Sequence, residues 1–370
     1  MLLLWIKYSW MFVLCYNDFM FRRIKVNNEV FFLSEEPPKV SHAGNKARLD
    51  IDCVIKKKNF TPYLCLKQHK FIGLFDKMKY ATSFDYINRI AKLFWLNMKR
   101  VIIQYPVYAD SITKRLVYRL IGRNEAVLIV HDVDSLRNFG KATLEMERNV
   151  LNSAKLLVVH NEEMKKSLND LGIKTDMISL NLFDYLLDDV PNQVRRLEDP
   201  IVFAGNLDKS EFLKKTVWKN DMGIHVNLYG PNYSKDDYNE NFIYRGCLPP
   251  NEVPFKIQGS FGLIWDGDSI STCSGAYGQY MKYNNPHKLS LYIAACLPII
   301  VWKDAAIARF VEKEKIGFCI SKISDISLEI KELDIAEYNK YLFNLKKLQN
   351  KVINGGFTNE ALDKVERIFN

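Results

Sequence analysis

The chain has 370 residues, more than one hydrophobic core usually serves, so two domains are expected. Hydrophobic residues make up 48% and charged residues 26%, a balance that excludes a disordered chain. The net charge of +9 admits nucleic acid, an anionic membrane face or phosphorylated small molecules as partners. The positive residues are dispersed, however, and the longest pure run is Lys56 to Lys58. Without zinc-finger spacing, an aromatic RNA-binding box or a basic helix, nucleic acid is not expected, and phosphate-bearing small molecules or membrane-surface acceptors fit better.

Seven cysteines with no C-x-x-C pair suggest a reduced, cytosolic protein with buried thiols. The six histidines are isolated, so a protein-held zinc is not expected. The first 21 residues, MLLLWIKYSWMFVLCYNDFMF, are apolar and aromatic, but Lys7 and Asp18 leave only a short clean stretch and no small-residue cleavage site follows. Three readings stand for this extension (1–27): an artefact of start-site choice with Met11 or Met20 as the start, an interfacial anchor, or a membrane span.

From there the pattern is α/β. Val30 to Ser34 reads as a buried strand ended by Pro37 and Pro38. A glycine loop then leads into a helix carrying Ala47, Ile51, Val54 and Ile55 on one face. Val101 to Gln104 is a strand, broken at Tyr105-Pro106. Helix 110–121, strand Ala126 to Val130, helix 142–153, strand Leu156 to Val159 and helix 162–171 follow. Short apolar strands alternating with helices imply a parallel sheet covered on both faces.

Residues 186–200 are polar, and the domain boundary falls there, separating 28–190 from 198–356. The pattern restarts with strand Ile201 to Ala204 and a glycine loop entering a helix. Strands His225 to Tyr229 and Phe261 to Trp265, helix His287 to Ala295 and strand Pro298 to Trp302 come next. Helix 304–314, strand Gly317 to Ile320, a long amphipathic stretch 325–352 and a last helix 359–369 complete the chain. Two such units leave a ligand cleft between them, with the chemistry in the loops beyond the strands' carboxyl ends.

Four loops carry candidate residues. Gly44-Asn45-Lys46 opens the first helix, where free N–H groups can meet an anion, although an ordinary turn explains it equally well. Gly205-Asn206 with Lys209 occupies the equivalent place in the second half, and Lys209 can reach a diphosphate. In the segment 284–302, Asn285 precedes Lys288 in the first turn of an apolar helix, where a cation opposes the helix dipole unless a bound phosphate offsets it. His131-Asp132-Val133-Asp134 ends a strand, so Asp132 or Asp134 can act as a base toward an acceptor hydroxyl, or Asp132 can cap a helix. Asp266-Gly267-Asp268 is a second D-x-D, but metal binding is not expected. Neither glycine loop has the dinucleotide fingerprint, which argues against an NAD-linked enzyme.

Residues 260–311, with SHAGNKARLD, VHDVDSLR and FAGNLDKSEFL, resemble the galactofuranosyltransferase-like, glucosyltransferase 3-like sugar transferases. The resemblance runs from about Val30 to the C-terminus and is most specific over 284–302. It implies a GT-B fold of two Rossmann-like domains facing a central cleft, with a C-terminal helix (357–370) returning to the N-terminal acceptor domain. It implies a UDP-sugar donor held mainly by the C-terminal domain, no obligatory metal or cofactor, inversion at the anomeric carbon, and a homo-oligomer. The acceptor expected is a glycan, glycolipid or glycoprotein, and the location cytoplasmic or peripheral at the inner face of the plasma membrane. The family's nucleotide-sugar contacts fall on Lys209, Tyr244, Lys288 and the loop Gly44 through Ala47. A non-catalytic glycan- or nucleotide-sugar-binding adaptor on the same fold is the alternative. Cys296 stands where the family usually has glycine, and the extension has no family counterpart.

Overall fold

The computed structural model describes residues 29–36, 43–58, 60–67, 72–97, 99–137, 141–215 and 223–369, so the readings of residues 1–27 fall outside it. The first half contains β1 (Val30–Glu36), α1 (Ala43–Lys57), β2 (Thr61–Lys67), α2 (Leu74–Ala81), α3 (Phe84–Trp95), β3 (Arg100–Tyr105), α4 (Ser111–Ile121), β4 (Glu125–Val130), α5 (Lys141–Asn152), β5 (Leu156–Val159), α6 (Glu162–Asp170) and β6 (Met177–Ser179). The second contains β7 (Ile201–Ala204), β8 (Val226–Tyr229), β9 (Phe242–Tyr244), α7 (Val253–Lys256), β10 (Gly262–Ile264), α8 (Gly275–Tyr280), α9 (His287–Ala294), β11 (Ile299–Trp302), α10 (Ala308–Glu314), β12 (Gly317–Ile320), α11 (Ile326–Glu332), α12 (Ile335–Ile353) and α13 (Gly356–Phe369).

Each half is built on a six-stranded sheet, in the orders β2-β1-β3-β4-β5-β6 and β12-β11-β10-β7-β8-β9. Every recorded strand pair is parallel. The central strands are apolar because helices cover both faces. In β4, Ala126 to Val130 are all buried, as are all four residues of β7 and β11. The strand order reverses between β1 and β3 in the first sheet and between β7 and β10 in the second. At such a reversal the connections leave on opposite faces and open a crevice beyond the carboxyl ends of the strands.

Local signals set the helix starts. The Asp110 carboxylate accepts from the N–H groups of Ile112 and Thr113 at the head of α4, and Asn161 accepts from Met164 at the head of α6. The stretch 325–352 is two helices, because Asp334 starts α12 by accepting from Glu337 N–H at 2.7 Å. Helix α10 begins at Ala308, after a turn in which Ala305 N–H bonds Trp302 O. Among the described residues, the second glycine loop leads into a 3-10 turn, Glu211–Lys214. The expectation of buried thiols holds for Cys273 and Cys296, whereas Cys53, Cys65 and Cys247 are exposed.

Cys296 adopts a left-handed backbone, with φ 51°, at the end of α9. Its N–H bonds Ile293 O and the Leu297 N–H bonds Tyr292 O, so the turn that glycine favours forms with a cysteine in place. Among the described residues, no helix is long and apolar enough to cross a membrane.

The chain crosses between the halves twice, and the crossings are bound together. Tyr185 and Leu187 donate backbone N–H bonds to Val352 and Ile353. Asp184, 2% exposed, accepts from the N–H groups of Phe357 and Thr358 and so caps α13. Burial pushes its carboxyl up to about 6. Helix α13 then packs Ala361, Leu362, Val365 and Phe369 into the first domain's core beside Ile51 and Val54 of α1.

Candidate active site

Beside the first strand-order reversal a cavity of about 370 Å³ is lined on one side by Ala47, Arg48, Tyr108, His131 and Asp132 and on the other by Asn284 to His287, the segment that leads into Lys288. On the first side, α1 begins at Ala43, so Gly44, Asn45 and Lys46 lie in its first turn rather than in a loop before it. Asn45 lines the cavity. Lys46 turns away: its ammonium bonds Asp50 at 2.9 Å and Leu186 O at 2.9 Å and lies 4.7 Å over the Tyr185 ring. Its charge is therefore used to join α1 to the domain crossing.

Arg48, two residues further on, is not among the residues singled out from sequence. Its guanidinium bonds Glu35 at the end of β1 (2.9 Å) and Pro106 O beyond β3 (2.7 Å), and lies 4.5 Å over the Tyr108 ring. It thus bridges the first reversal point. Burial pushes the Glu35 carboxyl up to about 7 despite Arg48 beside it. A strand-end glutamate followed by an arginine in an apolar helix was the available signal.

Beyond β4, the Asp132 carboxylate pairs with Arg137, whose guanidinium lies 4.5 Å over the Tyr280 ring of the second domain. Burial raises the Asp132 carboxyl above its ordinary value, opposed by Arg137 and Arg48. Among the described residues, Asp132 caps no helix. Asp134 is half exposed, 3.6 Å from Arg137, and its N–H donates to Glu147 at 3.0 Å. Of the two aspartates, Asp132 lines the cavity. So does His131, whose Nε2 bonds Gln104 Oε1 at 2.6 Å while Gln104 donates to Asp52 at 2.8 Å.

Asn285, 3% exposed, holds the two halves together. Its N–H donates to His160 Nδ1 (2.9 Å), and its side-chain amide donates to His160 O (2.9 Å) and Asn181 O (2.7 Å). Its Oδ1 accepts from Asn161 at 2.6 Å. His160 Nε2 bonds His131 O at 2.9 Å. With Nδ1 accepting, the ring proton sits on Nε2 and the ring is neutral. Burial holds its pKa down at about 4.

An ordinary unfolded-state pKa near 6.5 against about 4 when folded means the unfolded chain binds more protons between those values. This group therefore costs stability as pH falls through that window. A His160→Gln variant does not titrate there. It is expected to lose about 2–3 kcal/mol less than the parent between pH 7 and 4.5 in denaturant melts. Equal acid sensitivity would contradict the assignment.

The neighbouring Asn284 is the one cavity-lining side chain with a buried oxygen, Oδ1, that has no hydrogen-bond partner among the described residues. A buried acceptor left unpaired is costly, and a ligand hydroxyl or amide N–H would satisfy it.

In the second domain, Lys288 occupies the first turn of α9 and reaches the gap between β7 and β10. Its ammonium lies 3.6 Å from Asp266, 3.5 Å from Trp265 O and 4.5 Å over the Phe203 ring. A Cβ on Gly205 would stand 3.0 Å from Lys288 Cε, so glycine makes room for this side chain. Gly230, at φ 141°, would place a Cβ 1.8 Å from Gly205 O. Gly230→Ala is accordingly expected to cost several kcal/mol, read as a fall in melting temperature. Gly205→Ala, which crowds only the end of a flexible side chain, is expected to leave the melting temperature nearly unchanged and to weaken ligand binding at Lys288. The reverse ranking would contradict this reading.

The remaining expected contacts lie in the loops beyond β7 to β9. Asn206 Oδ1 accepts from Asp208 N–H (3.1 Å) and Asn232 (3.0 Å), shaping its own turn. The Lys209 ammonium lies 5.4 Å over the Tyr277 ring. Tyr244 stacks on Tyr233 with centroids 4.1 Å apart, remains 38% exposed, and donates its hydroxyl to Gly230 O at 3.1 Å. In the second D-x-D, Asp266 faces Lys288 and Asp268 accepts from Ser274. Among the described residues, no three His, Cys, Asp or Glu side chains converge to hold a metal ion.

Two Rossmann-like domains with a cleft between them make the GT-B fold. Solved structures with this fold include sucrose-phosphate synthase from Thermosynechococcus elongatus (TM-score 0.61, 10% identity, 92% of this chain and 99% of that one). HepE from Anabaena, solved in complex with UDP-glucose, gives a TM-score of 0.57 at 11% identity over 91% of this chain and 98% of its own. The N-terminal domain model of the glucosyltransferase 3-like family matches residues 38–182 and its C-terminal domain model matches 201–365, so the chain belongs to that family. It is similar to the beta-1,6-galactofuranosyltransferase WbbI of Escherichia coli (strain K12), 33% identical over 244 residues that span 65% of this chain and 70% of the relative. It is also similar to glucosyltransferase 3 of Streptococcus parasanguinis, 25% identical over 268 residues, or 71% and 77% of the two chains.

Proposed function

We propose that the protein transfers a hexosyl group, galactofuranosyl foremost, from a UDP-sugar to a hydroxyl of a glycan acceptor, with inversion and without a metal. The observation that carries this reading is Lys288, a cation in a helix's first turn placed under Gly205 at the second reversal point. A diphosphate there meets both the ammonium and the free N–H groups of the turn. Lys288, with Lys209, offsets charge on the leaving UDP, the work a metal does in other transferases. The exposed Tyr244 offers a stacking face to the uracil. Asn284 Oδ1 accepts from a ligand hydroxyl.

Asp132 takes the acceptor's proton. Burial raises its pKa, as suits a proton acceptor, and Arg137 beside it opposes that rise. Asn285 and Lys46 act indirectly, by holding the domains in the register that brings the two sides of the cleft together. The preference for galactofuranose rests on the 33% identity to the galactofuranosyltransferase.

Incubation with UDP-galactofuranose, UDP-galactose and UDP-glucose in the presence of EDTA tests the reading through UDP release. Turnover of at least one donor with chelator present is expected. Turnover only after divalent cation is restored would overturn the metal-free mechanism. The ion pair already made by Asp132 favours the second reading, a non-catalytic nucleotide-sugar-binding adaptor. Donor binding without hydrolysis or transfer of any donor would select it.

A further inference from the structure

Helix α2 is unusual in this fold because it buries none of its residues. Ile72, just before it, is 97% exposed, and Leu74, Phe75 and Met78 on it are 76%, 84% and 55% exposed. Helix α3 continues the surface. Its inner face buries Tyr86, Ala91 and Leu93, while Phe84 is 76% exposed. At its end Phe94 and Trp95, in edge contact at 5.8 Å, are each about half exposed. Folding a helix pair outward with its largest apolar side chains in water costs free energy unless something covers them.

The two helices are held to one another by side-chain contacts. Arg89 of α3 bonds Tyr80 OH of α2 at 3.2 Å, and the Tyr80 and Tyr86 rings pack with centroids 4.8 Å apart, so the two helices are joined. The pair is tied to the cleft. Tyr86 OH donates to Asp110 at 3.0 Å, and Asp110 lies between Tyr108, which lines the cleft and is 42% exposed, and Ile112, which is 56% exposed. The apolar surface therefore continues to the rim of the side that carries Asp132.

We propose that α2, α3 and the Tyr108–Ile112 rim form a membrane-contacting surface that seats the first domain on an anionic bilayer and aims its half of the cleft at acceptors presented there. Two features favour lipid over a protein partner. The apolar groups are projecting Phe, Trp, Leu and Met tips rather than a groove lined for a complementary chain. Lys77 and Lys79 are exposed beside them on α2, as suits interfacial insertion next to anionic headgroups. Only the choice of acceptor rests on the proposed reaction. The surface itself is tested by binding, without turnover.

The test compares the full chain with a Leu74→Ser, Phe75→Ser variant in co-sedimentation with phosphatidylcholine vesicles, with and without phosphatidylglycerol. The parent is expected to bind vesicles containing phosphatidylglycerol, more weakly at high salt. The variant is expected to lose about tenfold or more in partitioning. Its melting temperature and UDP affinity should be unchanged, because α2 buries neither side chain. Unchanged vesicle binding by the variant would overturn the proposal, as would a parent that ignores anionic vesicles. A parent that self-associates in ultracentrifugation while the variant is monomeric, with vesicle binding equal in the two, would assign the surface to a second copy of the chain and overturn it as well.

Discussion

Lys288→Ala is expected to weaken UDP binding about 10- to 150-fold, or roughly 1.5–3 kcal/mol, the range for losing a hydrogen bond to a charged group. The size of the effect follows from what Lys288 does without ligand. Among the described residues its ammonium has only a 3.6 Å approach to Asp266, a 3.5 Å approach to a carbonyl and the Phe203 face, all of which leave it able to take an anion. A lysine used only for structure would have a close carboxylate partner, as Lys46 has in Asp50 at 2.9 Å. Because the side chain is a partner to Gly205 rather than to the core of α9, its truncation should leave folding intact. Calorimetric titration with UDP reads the effect directly, and unchanged affinity would contradict the assignment of Lys288 as the diphosphate contact.

Asp132→Asn is expected to lower transfer by about 10²- to 10⁴-fold, the usual contribution of a general base, with UDP affinity unchanged. The asparagine keeps the size of the side chain and its place against Arg137 but cannot accept the acceptor's proton. Asp134→Asn, by contrast, alters a half-exposed carboxylate outside the cavity lining and is expected to change transfer little. A large effect at Asp134 with none at Asp132 would exchange their roles. Equal loss of UDP binding and transfer at Asp132 would mean that it supports the cleft rather than the chemistry.

Much of this architecture is legible in the sequence, and the reason is burial. The runs VIIQ, AVLIV, LLVV, IVFA and PIIVW are strands because both faces of each sheet are covered, which makes the apolar run continuous. The edge strands β2, β6 and β9 are not legible in this way, although the edge strand β12 is. In β2 only Leu66 is buried and Thr61, Tyr63 and Leu64 are partly exposed, so the run is interrupted. β9 has three residues with Tyr244 exposed. Helix ends went astray where a single local bond decided them, as at Asp334.

The candidate site divided along the same line. Gly205 and Lys288 carry local signals, a glycine after a strand and a cation in a helix's first turn, and the fold brings them together. Asn285 and Lys46 carry similar local signals, yet their partners are Asn181, His160 and Leu186, each more than a hundred residues away in sequence. Polar residues that join two domains cannot be told from ligand contacts until those partners are in place. The same holds for Arg48, whose role depends on Glu35 and Pro106 meeting at the first reversal point. Asn284 was passed over for its neighbour, although it is Asn284 that leaves an unpaired oxygen in the cleft.

The central claim is that this cleft is built for a UDP-sugar. Thermal unfolding with UDP, UDP-galactofuranose, UDP-galactose, UDP-glucose, ADP and NAD tests it most directly. A ligand at a hundred times its dissociation constant stabilises the folded state by about 2.7 kcal/mol, enough to move the transition by several degrees. The uridine compounds are expected to raise the melting temperature and ADP and NAD to leave it unchanged. Protection by NAD or ADP equal to that by UDP, or none from any uridine compound, would contradict the account.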